Sequence, residues 1–165
     1  MIVIDDEKIN DDDLKNLNEE ITSYDFPWFY HKSKVFDGDG FIQFTHLFFE
    51  HTKNSNFFRL IEPILNKLPI KKLVKAKVNL QVKNNSFQIT PFHTDFPEPE
   101  LNRYLTTSIV YLNTNNGKTV FENQQEIDSV KGRIVTFPCH LKHAATTHTD
   151  TDIRIVLNLN YYTQA

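Results

Sequence analysis

The chain has 165 residues, 39% hydrophobic and 24% charged, with a net charge of −3. This fits a single globular domain over residues 1–165 and excludes an intrinsically disordered chain. The weak negative charge gives no general attraction to nucleic acid or anionic lipid, so a nucleic-acid partner is not expected. No apolar run approaches spanning length, and the start, Met1 to Glu7, is acidic. No membrane partner and a cytoplasmic location are therefore expected. One cysteine, Cys139, permits no internal disulfide and reads as a small buried hydrophobe.

Residues 11–23 carry Leu14, Leu17 and Ile21 at helical spacing behind three aspartates, which predicts a surface helix with acids at its positive end. The aromatic run from Phe26 to Phe36 reads as a strand, with Trp28 and its neighbours in the core. Asp37-Gly38-Asp39-Gly40 then reads as a plain turn, because the residues that follow lack the oxygen ligands of a calcium loop. Phe41 to Phe49 continues as a core segment. A second amphipathic stretch covers 55–68, where Pro63 predicts a kink or a late start.

From residue 73 the period changes to two. Val74, Ala76, Val78, Leu80 and Val82 alternate with Lys75, Lys77, Asn79, Gln81 and Lys83, a strand with one apolar face. Further strands are predicted at 87–92, 104–112, 118–122, 132–138 and 153–162, separated by turn residues. Helical and aromatic support over 1–72 followed by short strands over 73–165 predicts a mainly β protein. An antiparallel sandwich or jelly roll with the N-terminal helices packed outside fits this order.

Two triplets place an imidazole and a carboxylate two residues apart, His93-Thr94-Asp95 and His148-Thr149-Asp150. In an extended strand such a pair points the same way and can reach one ion. A site of two histidines and one carboxylate needs a second histidine from another strand. Three candidates, His140, His143 and His148, follow His93, and none follows His148, so the second triplet is expected in a solvated turn. Arg154 begins the last strand, and its parity mates Val156, Asn158 and Asn160 form a mixed face suited to a partly polar interior. A guanidinium there suits a dicarboxylate ligand.

Taken together, His93-Thr94-Asp95, Tyr111-Leu112-Asn113, Gly117-Lys118-Thr119-Val120-Phe121, Gly132 to Phe137, His143 and Arg154 resemble the Fe(II)- and 2-oxoglutarate-dependent oxygenases. The order is similar to the prolyl 4-hydroxylase-like branch and its small phage-encoded members, for which the location would be the host cytoplasm. The resemblance covers residues 73–162, with likeness also in the N-terminal helices. It implies a double-stranded β-helix and an iron site made by His93, Asp95 and His143. It implies that Arg154, eleven residues after His143, pairs with the distal carboxylate of 2-oxoglutarate, helped by Tyr111. His140 and His148 stand fourteen and six residues before Arg154, outside the family's interval. Asn79 and Gln81 match positions that contact the co-substrate. The family's Gly-Gly pair appears here as Gly117-Lys118.

The activity so implied is hydroxylation of a substrate C–H bond by O2, coupled to conversion of 2-oxoglutarate to succinate and CO2, with ascorbate as a supporting reductant. No residue beyond the metal ligands is implied as an acid or base. Resemblance favours a prolyl residue in a peptide or protein, with Phe96-Pro97-Glu98-Pro99-Glu100 as a rim or a stiff turn. A nucleic-acid demethylase is the rival enzyme. Lys67, Lys71, Lys72, Lys75, Lys77 and Lys83 form the basic cluster it would use, a cluster that reads more simply as a solvated face. Asn160 stands where that branch carries a second arginine. A metal- or sugar-binding jelly roll without turnover is the reading from another class.

Overall fold

The computed structural model describes residues 1–96 and 104–164. Most of the Phe96–Glu100 rim therefore lies outside the described residues. The first helix, α1 (Asp11–Ile21), starts where Asn10 and Asp13 cap each other reciprocally. Asp13 donates its backbone N–H to Asn10 Oδ1, and Asn10 donates its own to Asp13 Oδ2, both at 3.0 Å. Leu14, Leu17 and Ile21 are buried, so the predicted face is the one that packs. The 55–68 stretch is shorter than its periodicity suggests: a 3-10 turn (Phe58–Ile61) leads into α2 (Glu62–Leu65), with Pro63 in its first turn. A proline is tolerated there because its missing N–H has no helical acceptor.

Strands supply the rest. The main sheet is antiparallel, in the order β1 (Val3–Asp5), β9 (Ile134–Pro138), β6 (Thr106–Tyr111), β11 (Ile153–Tyr162), β5 (Lys72–Val82), β3 (Gln43–Glu50) and β2 (Phe29–His31), with β4 (Lys53–Asn54) paired to β3. A second sheet packs β7 (Asn115–Phe121) between β10 (His143–Ala145) and β8 (Glu126–Ser129). Two facing antiparallel sheets with the helices outside make a jelly roll.

The 87–92 strand is a correction. Among the described residues this segment makes one isolated bridge, Ile89 with Thr146, and a second follows just beyond it, His93 with His143. Pro91 between them has no N–H to give, which breaks a continuous ladder. β3 is the opposite case, a full strand where a core segment was expected. Its register shifts between Leu47 and Phe49, so a bulge leaves Leu47 partly exposed while Phe48 is buried. The aromatic run is also more mixed than expected: Phe26 is buried, whereas Phe29, Tyr30 and Phe36 are exposed.

Period two divides the main sheet. Ala76 and Val78 of β5 and Ile155, Leu157, Leu159 and Tyr161 of β11 face the helices and form one core with Leu14, Leu17, Ile21, Ile61 and Ile64. The residues between them turn toward the second sheet. There a smaller core of Ile109, Tyr111, Phe121, Ile127, Val135, Phe137 and Val156 closes one end of the roll.

Candidate metal and dicarboxylate site

His93 and His143 meet because their backbones do. Each donates its N–H to the other's carbonyl at 3.0 Å, so the two side chains leave the same side of the pair. The ring centroids are 4.8 Å apart. Asp95, two residues on, joins them: Asp95 Oδ1 lies 3.7 Å from His143 Nε2, and one ligand atom from each residue falls within 4.8 Å of the others.

The histidines are held in matching ways. Nδ1 of His93 faces the Pro91 carbonyl and Nδ1 of His143 the Leu141 carbonyl, each at 3.2 Å. A carbonyl only accepts, so each Nδ1 carries a proton, which leaves Nε2 as the nitrogen available to a metal. Burial, followed by the nearby His143, lowers the His93 pKa from 6.5 to about 4. A neutral imidazole is what a metal requires.

Asp95 is supported by three donors. Thr107 Oγ1 at 2.8 Å and Asn160 Nδ2 at 2.7 Å donate to Oδ2, and Asn158 Nδ2 donates to Oδ1 at 3.2 Å. Burial opposes the charge, but His143 and the hydrogen bonds from Asn160 and Thr107 outweigh it and hold the carboxyl below its ordinary range. The three helpers went unnoticed in the sequence. The polar parity of Asn158 and Asn160 was the signal available for two of them.

These groups open onto a cavity of about 550 Å³, lined also by Lys34, Gln43, Lys77, Asn79, Thr94, Ile109, Thr119 and Val156. Next to it lies a buried polar cluster. Arg154 is 2% exposed, donates through Nε to Ser129 Oγ at 3.1 Å and through Nη1 to Gln81 Oε1 at 3.2 Å, and stacks over Tyr111 at 5.8 Å. The Tyr111 hydroxyl donates to Thr119 Oγ1 at 2.7 Å, which links the cluster to the cavity wall. Among the described residues no carboxylate pairs with Arg154. Its burial lowers the guanidinium's pKa from the ordinary value, because a buried cation loses its hydration.

Gly117 makes room for this arginine. A Cβ there would come within 2.9 Å of Arg154 Cδ. Lys118, where the resembling family has its second glycine, points outward to Glu126 and Asp128.

The second triplet is a correction. His148 is fully buried rather than solvated, and burial lowers its pKa. Asp150 alone stays exposed, capping the backbone of Asn116 at 3.0 Å. The basic cluster is corrected in part as well: Lys75 and Lys77 line cavities instead of an open face. Cys139 is buried beside Asn160, 3.9 Å from its Nδ2, and does not line the cavity. Asp39 is consumed by its own turn, where its carboxylate accepts the backbone N–H groups of Lys34, Val35, Phe36 and Phe41. Among the described residues no helix is long and apolar enough to cross a membrane.

Known structures share this architecture. A 2OG-Fe(II) oxygenase family oxidoreductase from Burkholderia pseudomallei superposes with a TM-score of 0.73 at 12% identity, over 99% of this chain and 85% of its own. A prolyl hydroxylase from Trichoplax adhaerens, solved with a peptide fragment of the hypoxia inducible factor oxygen degradation domain, gives 0.70 at 11% identity, over 98% and 83%. The viral collagen prolyl hydroxylase of Paramecium Bursaria Chlorella virus-1 gives 0.59 at 15% identity, over 99% and 90%. No family model and no curated protein sequence matches the chain. The fold is thus the jelly roll of the 2-oxoglutarate- and Fe(II)-dependent oxygenases.

Proposed function

We propose that the chain, acting as one domain, is an Fe(II)- and 2-oxoglutarate-dependent dioxygenase that hydroxylates a C–H bond, with a prolyl residue of a peptide or protein as substrate. One observation carries this reading: a convergent His93, Asp95 and His143 cluster adjoins a buried arginine with no carboxylate partner among the described residues. Two histidines and one carboxylate on one side of a metal leave positions open for ligands, the donor set of non-haem iron oxygenases.

In this reading His93 and His143 would hold the iron through Nε2 and Asp95 through a carboxylate oxygen. Arg154 would pair with the distal carboxylate of 2-oxoglutarate, its guanidinium oriented by Gln81 and Ser129. Tyr111, stacked against Arg154, would help hold the same anion, and Asn79 on the cavity wall would contact the co-substrate. When bound, iron and 2-oxoglutarate supply the oxidising power, with O2 as oxidant and succinate and CO2 as products. The protein positions the target C–H bond and excludes water from the cavity. Asn160, Thr107 and Asn158 keep Asp95 ionised and fixed, so the site stays ready for the metal.

The test is succinate formation from 2-oxoglutarate with Fe(II) and ascorbate, with and without proline-containing peptides, in wild type, Asp95→Ala and Arg154→Ala. Peptide-stimulated turnover that both variants lose is the expected result. Absence of turnover, with no 2-oxoglutarate binding to the metal-loaded protein, would replace the oxygenase by a non-catalytic binding jelly roll.

A further inference from the structure

A second cavity of about 620 Å³ continues the first. It shares Lys34, Val35, Gln43 and Lys77 with it and opens past Phe29, His31, Thr45, Leu47, Glu50 and Lys75. The shared residues form the junction, so a groove runs from His93, Asp95 and His143 to β2, the last strand of the main sheet. The first cavity alone has the volume of a site for a drug-sized ligand, more than a five-carbon diacid requires.

The charges along this groove do not balance. Lys75 is paired with Glu50 at 2.9 Å. With a divalent metal and 2-oxoglutarate in place, Asp95 and the two co-substrate carboxylates offset the metal and Arg154. Lys34 and Lys77 are left over, and among the described residues neither has a salt-bridge partner. Of the acids that follow Lys34 in sequence, Asp37 pairs with Lys32 at 2.9 Å and Asp39 is occupied by four backbone N–H groups. Burial leads in lowering both lysine pKa values, with repulsion from Arg154 at Lys34 and from Lys75 at Lys77, while Asp39 at Lys34 and Asp95 and Glu50 at Lys77 act the other way. Two half-buried lysines on one cavity wall, neither in an ion pair among the described residues, suit an anion.

We infer that the substrate is an acidic peptide, with an aspartate or glutamate flanking the hydroxylated residue and its carboxylate held between Lys34 and Lys77. This rests on the oxygenase reading and narrows its substrate. One feature favours a peptide over a nucleic acid: the groove ends at a sheet edge, which suits an extended chain that adds hydrogen bonds alongside it.

The experiment titrates protein loaded with Mn(II) and 2-oxoglutarate against labelled peptides, followed by fluorescence anisotropy at low salt. The peptides differ only in Glu, Gln or Lys beside the proline, and a single-stranded oligonucleotide forms a further arm. The Glu peptide is expected to bind about tenfold more tightly than the Gln peptide, one charge-assisted contact's worth. Lys34→Gln should narrow that ratio, and Lys77→Glu should favour the Lys peptide. Equal binding of the Glu and Gln peptides by wild type, or an unchanged ratio in both variants, overturns the inference. Tighter binding of the oligonucleotide overturns the choice of a peptide. Calorimetry of Mn(II) and 2-oxoglutarate without peptide keeps the two levels apart. Failure there removes the oxygenase reading, while success there without an acidic preference removes only this inference.

Discussion

Along β5 and β11 successive residues enter two different environments. Ala76, Val78, Leu157 and Leu159 pack against the helices, while Lys77, Asn79, Val156 and Asn158 line the cavity. The helix side is continuous and apolar, and burying it is the main source of folding free energy. The cavity side carries amides and a half-buried lysine, which add little to stability unless each group is satisfied. One set of strands thus presents one face that holds the fold and another that lines the cavity.

The sharpest way to break this division is to cut into the helix side. Leu17→Ala, at a fully buried position, should cost about 2–5 kcal/mol in urea unfolding. Asn79→Ala on the cavity side should cost about 1 kcal/mol or less; equal losses would erase the contrast. Next in size, Asn160→Ala removes a 2.7 Å donor from Asp95 and should weaken metal binding by about 10–100-fold, read by calorimetry. Gly117→Ala drives a methyl into the stem of Arg154. It should destabilise the protein by about 1–3 kcal/mol through overpacking, and direct titration should show weaker 2-oxoglutarate binding.

The smallest effect is a pH dependence. Because His93 titrates at about 4 in the folded protein and near 6.5 when unexposed to such burial, the unfolded chain binds the extra proton between those values. The metal-free protein should therefore lose stability as pH falls from about 6.5 toward 4 and show no His93 contribution above that window. His93→Gln, unfolded in urea at stepped pH, should flatten this part of the curve.

Much of this division was legible in the sequence. The alternation in β5 and β11 gave both strands, and the spacing of Leu14, Leu17 and Ile21 gave α1. The residues singled out as ligands, His93, Asp95 and His143, do come together. Other features were hidden for physical reasons. A period-two polar stripe looks the same facing water or a cavity, so Lys75 and Lys77 read as a solvated face. The bulge in β3 destroyed its alternation. β8 and β10 are four and three residues long, too short for a pattern to emerge. His148 is buried by the packing of a loop, which no local period encodes.

The turn around Asp39 has a consequence for recognition. One carboxylate gathers four backbone amides and fixes the segment that carries Lys34, a stretch with no helix or strand of its own. The entropy of ordering that wall is lost when the chain folds, before any ligand arrives. A ligand reaching Lys34 meets a preorganised surface, and its affinity is not reduced by the need to freeze a loop.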